Sequence, residues 1–501
     1  MVESPPGNVA DLVVRASEKV PAHRGLVDAP GACSLSWQQV DAVIDRYANA
    51  LVRAGVEAGD RVALRMTNTV AACVALFAVV KVGAVAVPVG LDAAPREVER
   101  VLDHSGARFA LGVPGVAELP SPELSGEAGE RFPSVGGGED IALLSYTSGT
   151  GGTPRGVMLS HRALLTNVEQ CAGLRPAPVG ATDRVLLAVP LAHAYGLSGL
   201  WQVAAAGATG VLLERFGVDR ALDACRDHRV TTLIGVPAMY QALATAGADR
   251  LGEALATVGL LTSGAAPLDP RVLALFRRET GLSIFEGYGL TETGPVLTST
   301  LVGGVAKAGS VGRPIPGVEI RLVDSDGRPL VTASDPEEML ADDFLDDGSE
   351  TGLVAARGGN LFSGYWPDGA HGPDAEGWFR TGDVGYLDAD GDLRLVDRAG
   401  DLVIVNGFNV YPHEVEQVVG ELPEVAEVAA VGVPDDRAGE RVAVVVVLRP
   451  DAELTEERLL AHCAEHLARF KVPAVVRFTD SLPHSVTGKL RRVALRGSFT
   501  A

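Results

Sequence analysis

Seven consecutive residues from 147 to 153, Thr-Ser-Gly-Thr-Gly-Gly-Thr, are all glycine or hydroxyl-bearing, and they directly follow the apolar run IALLSY at 141–146. Such a stretch has nothing to bury and too much backbone freedom for a helix interior or a regular strand. Its N–H and O–H groups must be satisfied by water or by an oxygen-rich ligand. An apolar strand ending on such a loop can wrap donors around phosphate oxygens. The first charge beyond it is Arg155, and Ser160 has the character of a helix N-cap. The Walker A pattern G-x-x-x-x-G-K-[ST] occurs nowhere in the chain. The other reading is a flexible surface turn; the position straight after an apolar strand favours phosphate binding.

Up to residue 400, helix-period stretches alternate with short Val/Ala/Leu runs: helix at 36–54, strand at 60–64, helix at 70–80, strand at 83–89. That spacing predicts an α/β fold with a largely parallel sheet. Residues 121–140, rich in Pro, Gly and Ser, predict a loop. Residues 335–350 carry eight acids in sixteen positions; a calcium site is one reading, but no EF-hand spacing is present, which favours a solvated surface loop. After Arg398 the pattern becomes α+β: strand 402–405, helix 413–422, strands 425–433 and 442–448, helix 456–468, then a polar tail with HSVTGKLRR. Charged and glycine residues at 397–401 set a boundary between a domain at 1–398 and one at 399–501.

Of the 501 residues, 47% are hydrophobic and 21% charged, which excludes extensive disorder. Acids outnumber bases 64 to 43, and a net charge of −21 excludes a sequence-blind nucleic-acid binder. A small anion held by backbone N–H groups and a metal ion stays compatible with it. Cys33, Cys73, Cys171, Cys225 and Cys463 form no C-x-x-C pair, so neither structural zinc nor a disulfide framework is expected and a reducing cytoplasm fits. The N-terminus lacks the order of a signal peptide. The longest uncharged apolar run, residues 70–80, falls short of the ~20 residues a spanning helix needs.

YTSGTGGTPRG (146–156) resembles the phosphate-loop signature of the adenylate-forming superfamily, which comprises acyl-CoA synthetases, luciferases and nonribosomal adenylation domains. Further blocks follow in that family's order: PLAHAYGL (190–197), GYGLTETGP (287–295), GSVGRPIPG (309–317), GWFRTGD (377–383), DRAGDLVIVNGFNVYPHEVE (397–416), VGVPDDRAGE (431–440), FKVP (470–473) and LPHSVTGKLRR (482–492). The likeness covers nearly the whole chain and is greatest to bacterial medium- and long-chain fatty-acyl-CoA synthetases. It implies a large N-terminal α/β domain of layered sheets and helices with a small, mobile C-terminal α+β domain. It also implies a two-step reaction, in which a carboxylate and Mg-ATP give acyl-AMP and pyrophosphate, and CoA then displaces AMP.

By position in those motifs, the resemblance assigns ATP or AMP binding to Thr147, Ser148, Gly149, Thr150, Gly151, Gly152, Thr153, Arg155, Gly264, Ala265, Ala266, Glu286, Gly287, Tyr288, Gly289, Asp383 and Arg398. Tyr288 would stack on adenine, Thr291 would bond the α-phosphate, and Asp383 would accept the ribose hydroxyls. Glu292 is the implied Mg²⁺ ligand, since a carboxylate beside a triphosphate is repulsive unless a cation lies between them. Lys489 would bridge carboxylate and α-phosphate oxygens, stabilising the charge of the transition state. His193, Tyr195, Gly196, Val236, Pro237 and Gly264 would border the acyl group, with His193 as wall rather than base, and Gly407 and Phe408 would meet CoA. Ala194 stands where amino-acid-activating relatives carry an aspartate, which argues against an α-amino group in the substrate.

Several positions depart from the family pattern. Arg155 stands where lysine is common, Gly400 where the hinge is usually Asp or Lys, Ile404 and Asn406 where some relatives use lysines, and Leu353 where a Glu is common. Two other readings follow: a ligase that loads an acyl-carrier protein instead of CoA, and a degenerate member that binds without turnover. The hinge generates a test. Gly400→Pro fixes φ near −65° at a position that must accept two backbone conformations. If it traps the adenylating orientation, acyl-AMP forms normally and transfer to the thiol fails, as read by assaying the two half-reactions separately. Equal small losses in both steps, or none, contradict a pivot at residue 400.

Overall fold

The stretch VAACVALFAVVK has no polar residue before its last, and it forms the helix Val70–Lys81, buried at every position except Ala71. A helix that is apolar all round belongs inside a core rather than on a surface. Thr69 starts it by accepting from the Ala72 N–H. Around it pack the helix Trp37–Arg53, which Ser36 and Gln39 cap reciprocally, and buried side chains from two sheets, among them Val62, Leu64, Leu26, Val185 and Leu187. Phe77 meets Trp201 edge to face at 5.1 Å. The computed structural model describes residues 7–29, 31, 33–126, 129–148, 154–332, 351–398, 401–405, 408–435, 439–484 and 490–499. Residues 149–153, the acidic stretch 335–350, Gly400, Gly407 and Lys489 lie outside the described residues.

By internal packing the chain divides into two units, Met1–Ile320 with Ala356–Phe379, and Arg321–Ala355 with Arg380–Ala501. The first holds a nine-stranded sheet in the order Arg313–Pro314, Val296–Ser299, Ile284–Gly289, Leu260–Ser263, Thr232–Gly235, Arg184–Leu187, Thr209–Leu213, Arg24–Ala29, Ser34–Ser36. Its central pairs are all parallel, and antiparallel strands close both ends. The second sheet runs Ala117–Glu118, Phe109–Leu111, Arg61–Met66, Val85–Gly90, Ile141–Ser148, Pro154–Ser160. This mixed, layered α/β architecture is the fold the motifs imply.

In the second unit the strands Phe408–Val410, Val403–Val405, Gly439–Leu448 and Val425–Asp435 form a sheet, with Val475–Phe478 parallel to Gly439–Leu448. Alternate residues face opposite ways. Val442, Val444 and Val446 pack with the helices Pro412–Gly420 and Glu456–His466. Ala443 and Val445 pack with Leu495 of a tail helix, Arg492–Phe499. That helix forms where the sequence reads as polar tail, because Leu495 and Phe499, four apart, share one face on the sheet. The composition break at 397–401 falls inside this unit, since Leu393–Arg398 pairs with Trp378–Leu387 from Leu387↔Leu393 to Asp383↔Arg398. Where the chain pivots is a different matter from where it packs, and a division at residue 398 stays a proposal.

Lys81 ends the buried helix with only 1% of its surface exposed. Its ammonium pairs with Asp45 and, at 3.4 Å, with Asp41. Burial holds the Asp45 carboxyl above its ordinary range, opposed by Lys81. Removing one member of a buried pair leaves the other charge uncompensated. Lys81→Met is therefore expected to cost about 3–5 kcal/mol in urea unfolding, with part recovered by adding Asp45→Asn. A loss below about 1 kcal/mol, the range of a surface pair, contradicts this role.

Candidate active site

Three registers in the nine-stranded sheet gather some of the predicted residues. Leu187 pairs with Ile234, Gly235 with Ser263, and Ser263 with Glu286, all parallel. Parallel strands present their carboxyl ends on one edge, where ligands bind in open α/β sheets. The chain leaving those ends carries His193 and Tyr195, then Val236 and Pro237, then Gly264 to Ala266, then Gly289 to Glu292. Asn68 fixes the first of these loops: its amide donates to the Leu187 and Val189 carbonyls at 3.0 and 2.9 Å, and its oxygen accepts from Leu191 N–H at 2.9 Å.

The Tyr195 ring lies over Gly264, where an added Cβ would sit 3.2 Å from Cζ. Its hydroxyl is 3.4 Å from Thr262 Oγ1, and burial pushes the phenol up to about 12. Gly196 is buried, and a Cβ there would meet the Pro190 oxygen at 2.4 Å, so its missing side chain serves close backbone packing. Burial lowers the His193 pKa, which favours a neutral imidazole. Ala265 adopts φ 72°, a strained conformation for a side-chain-bearing residue, and such strain collects at functional turns. Next to it, the buried Ser263 Oγ lacks a hydrogen-bond partner. Glu286 is buried with Oε2 accepting from Leu268 N–H at 3.2 Å, and burial raises its carboxyl to about 7.

Glu292 sits on the single turn Thr291–Thr293, with 9% of its surface exposed. Thr293 closes the turn, its hydroxyl accepting from Leu290 N–H at 2.9 Å and donating to the Pro295 carbonyl at 2.6 Å. Asn360 donates to the Thr293 carbonyl at 2.6 Å, and Phe362 N–H to the Glu292 carbonyl at 2.9 Å. Gly289 has to be glycine, since a Cβ would fall 1.7 Å from the Pro295 oxygen. The Tyr365 hydroxyl donates to Glu292 Oε1 at 2.8 Å, and the Arg155 guanidinium lies 5.3 Å from the centre of the Tyr365 ring. No arginine, lysine or histidine pairs with the Glu292 carboxylate among the described residues. A buried carboxylate with one oxygen engaged by a neutral donor and no cation paired with it directly suits a hard ion such as Mg²⁺, which takes one or two carboxylates and completes its shell with water and phosphate.

The glycine–hydroxyl loop connects two antiparallel strands, Ile141–Ser148 and Pro154–Ser160, rather than leading directly into a helix. The expected helix follows one strand later, capped by Ser160, whose hydroxyl accepts from Ala163 N–H at 3.2 Å. Thr147 pairs with Arg155 in the ladder, so the loop leaves and re-enters the sheet beside its cation. In the second unit, Asp383 is buried and lies opposite Arg398, and its N–H donates to the Thr381 hydroxyl at 3.2 Å. The side chains of Ser148, Arg398 and Phe408, and the whole of residues 149–153, Gly400, Gly407 and Lys489, lie outside the described set.

Among the described residues, two other groupings could hold a metal ion, Glu421–His462–His466 and Asp388–Asp390–Asp392. In the first, His462 Nε2 lies 3.0 Å from the Val418 carbonyl. In the second, Asp388 accepts from the N–H groups of Asp390 and Asp392 at 3.1 Å each and pairs with Arg394 at 2.9 Å. Both sets serve local structure. Among the described residues no helix is long and apolar enough to cross a membrane. Sequence reasoning missed Tyr365, Asn68 and Asn360. The only local signal for Tyr365 is a polar-tipped aromatic between Gly364 and Trp366, in a segment without helix or strand periodicity.

Comparison with known proteins agrees with this geometry. The model of the AMP-binding enzyme family matches residues 13–366, and that of the AMP-binding enzyme C-terminal domain matches residues 414–489. The chain is 34% identical to a feruloyl-CoA synthase of an Amycolatopsis species, over 94% of this chain and 95% of that one. It is 32% identical to a long-chain-fatty-acid–CoA ligase of Yersinia pestis, over 88% and 86%. The crystal structure of ATP-bound MatB from Rhodopseudomonas palustris superposes with a TM-score of 0.87 at 30% identity, covering 98% of this chain and 99% of that one.

Glu286 generates a pH test. Its carboxyl ionises near 4.5 when unfolded and at about 7 when folded, so between those values the folded chain holds a proton that the unfolded chain has lost. Stability therefore falls as pH rises through that window and levels off above it. Glu286→Gln keeps an acceptor for Leu268 and removes the slope, gaining on the order of 3 kcal/mol at pH 8 and nothing at pH 4. Parallel stability–pH curves for the two proteins contradict a proton held at Glu286.

Proposed function

This chain belongs to the AMP-binding enzyme family of adenylate-forming acyl-CoA ligases, and from that premise we propose that it activates an apolar carboxylic acid without an α-amino group, a medium- or long-chain fatty acid in the first reading. ATP, Mg²⁺ and CoA take part in the family's reaction. The observation that carries the reading is the buried Glu292 carboxylate, held by a neutral phenol whose ring carries Arg155 of the phosphate-loop hairpin.

A carboxylate oxygen attacks the α-phosphorus, the bond from that phosphorus to the bridging oxygen breaks, and pyrophosphate leaves. The CoA thiol then adds to the acyl carbonyl and loses its proton, and AMP departs with one of the original carboxylate oxygens. Arg155 and the donors of 147–153 would hold the β- and γ-phosphates, preorganised cation and dipoles facing the leaving charge. Glu292 would hold Mg²⁺, which neutralises phosphate charge when bound, and the neighbouring Thr291 would bond the α-phosphate. Lys489 would stabilise the charge shared by carboxylate and α-phosphate, and Asp383 would accept the ribose hydroxyls. A neutral His193 leaves the acid without a competing cation in the acyl wall.

Tyr195, Val236, Pro237 and Gly264 would frame the acyl group. The long-chain relatives and the absence of an acidic side chain at Ala194 support a fatty acid. A second reading, an aryl acid, draws on one observation: the Tyr195 and Thr262 hydroxyls form a polar spot beside Gly264. The similarity to a feruloyl-CoA synthase supports it too. The acceptor is CoA in this proposal; an acyl-carrier protein is the alternative.

ATP–pyrophosphate exchange over fatty, aryl-propenoic and amino acids, with CoA and a carrier protein then compared as acceptors, is the test. Exchange with fatty acids and thioester formation with CoA are expected. Exchange with amino acids alone overturns the substrate class. In the same assay Lys489→Ala is expected to lose roughly 10²–10³ in adenylation rate with ATP affinity nearly intact.

A further inference from the structure

Tyr365 touches both charged parts of the site at once. Its hydroxyl donates to Glu292 Oε1 at 2.8 Å, and its ring face carries the Arg155 guanidinium at 5.3 Å from the centroid. The ring has little freedom to swing. Phe362 packs edge-on to it at 5.1 Å and in turn meets Phe379 at 4.9 Å. The main chain around it is laced to the phosphate-loop hairpin, with Ser363 N–H on the Met158 carbonyl at 2.9 Å, Met158 N–H on the Gly364 carbonyl at 3.1 Å and Trp366 N–H on the Gly156 carbonyl at 2.8 Å. Gly364, at φ 98°, packs where a Cβ would fall 2.1 Å from the Gly369 oxygen, so the turn delivering Tyr365 admits no side chain before it.

We propose that Tyr365 is a positioning residue that couples the metal-binding carboxylate, Glu292, to the phosphate-binding cation, Arg155. The inference rests on the reading of those two residues given above. By occupying Oε1, the hydroxyl fixes the carboxylate plane and leaves Oε2 for the cation, as outer-sphere partners orient metal ligands. By offering a π face, the ring holds the guanidinium at the point where the loop re-enters the sheet. A planar guanidinium stacks on an aromatic ring better than an ammonium, which gives a physical reason for arginine at a position where relatives carry lysine. Arg155 and Glu292 thus share one support.

The two arms of Tyr365 separate by substitution. Tyr365→Phe keeps the ring, and with it the Phe362 packing and the stacking of Arg155, but loses the hydroxyl and its bonds to Glu292 and Arg155. Mn²⁺ binding to the full-length protein with a non-hydrolysable ATP analogue, without acid, is followed by the EPR signal of the free ion. We expect the Mn²⁺ dissociation constant to rise about tenfold in Tyr365→Phe, with the KM for the acid and the thermal midpoint close to wild type. Arg155→Lys is expected to raise the KM for ATP at saturating Mg²⁺, and to add nothing in a Tyr365→Leu background, because coupled residues are not additive. Unchanged Mn²⁺ affinity in Tyr365→Phe, or additive effects in the Arg155–Tyr365 pair, overturns the proposal. If Tyr365→Phe fails to fold, the Arg155→Lys arm decides by itself: an unchanged KM for ATP overturns the coupling. Glu292→Gln separates the proposal from its premise, since full Mn²⁺ affinity in that variant refutes Glu292 as the metal ligand.

Discussion

The registers Ile234↔Leu187, Gly235↔Ser263 and Ser263↔Glu286 set where the loops carrying His193, Ala265 and Glu292 leave the sheet. Four consecutive neighbours run in one direction, so their carboxyl ends emerge on one edge of the sheet. The loop carrying His193 and Tyr195, the strained turn at Ala265 and the turn carrying Glu292 become adjacent through backbone pairing alone. A slip of one residue in the last strand would turn Glu286 and Tyr288 to the opposite face and carry Gly287 inward. The alternation of Ile284, Glu286 and Tyr288 as buried positions pins that register.

The irregular segments are held by side chains that bond backbone. Asn68 fixes the loop after Arg184–Leu187, and Asn360 and Thr293 fix the turn carrying Glu292. Each satisfies carbonyls or N–H groups that loop geometry leaves unpaired, where a bare buried group would cost roughly 1–3 kcal/mol. Tyr365 adds a tie of another kind, joining the Glu292 carboxylate and the Arg155 guanidinium rather than a side chain and a backbone. The phosphate-loop hairpin, the segment 363–366 and the Glu292 turn therefore form one hydrogen-bonded assembly within the first unit.

Much of this was legible in the chain because it rests on periodicity and local chemistry. The helix expected at 36–54 forms as Trp37–Arg53, the helix at 70–80 as Val70–Lys81, and Ser160 caps a helix as its side chain allows. The strand Pro154–Ser160 was not legible, because it opens on a proline, contains a glycine and shows no alternation; its partner strand creates it. The tail helix Arg492–Phe499 hides in a polar composition, since two apolar residues on one face suffice once a sheet is there to receive them. Tyr365 stands 73 residues from Glu292, and no local pattern links them. Motif resemblance proposes the charged residues of the site, while the partners that hold Glu292 in place come only with tertiary structure.

The central claim is that this chain joins an acid to a thiol through an acyl-adenylate, with attack at the α-phosphorus. A substrate acid carrying ¹⁸O in both carboxylate oxygens, turned over with ATP and CoA, reports on that bond directly. If the carboxylate attacks the α-phosphorus, AMP leaves with one ¹⁸O and pyrophosphate with none, as read by mass spectrometry of the products. Unlabelled AMP, or ADP with labelled phosphate, would contradict the account.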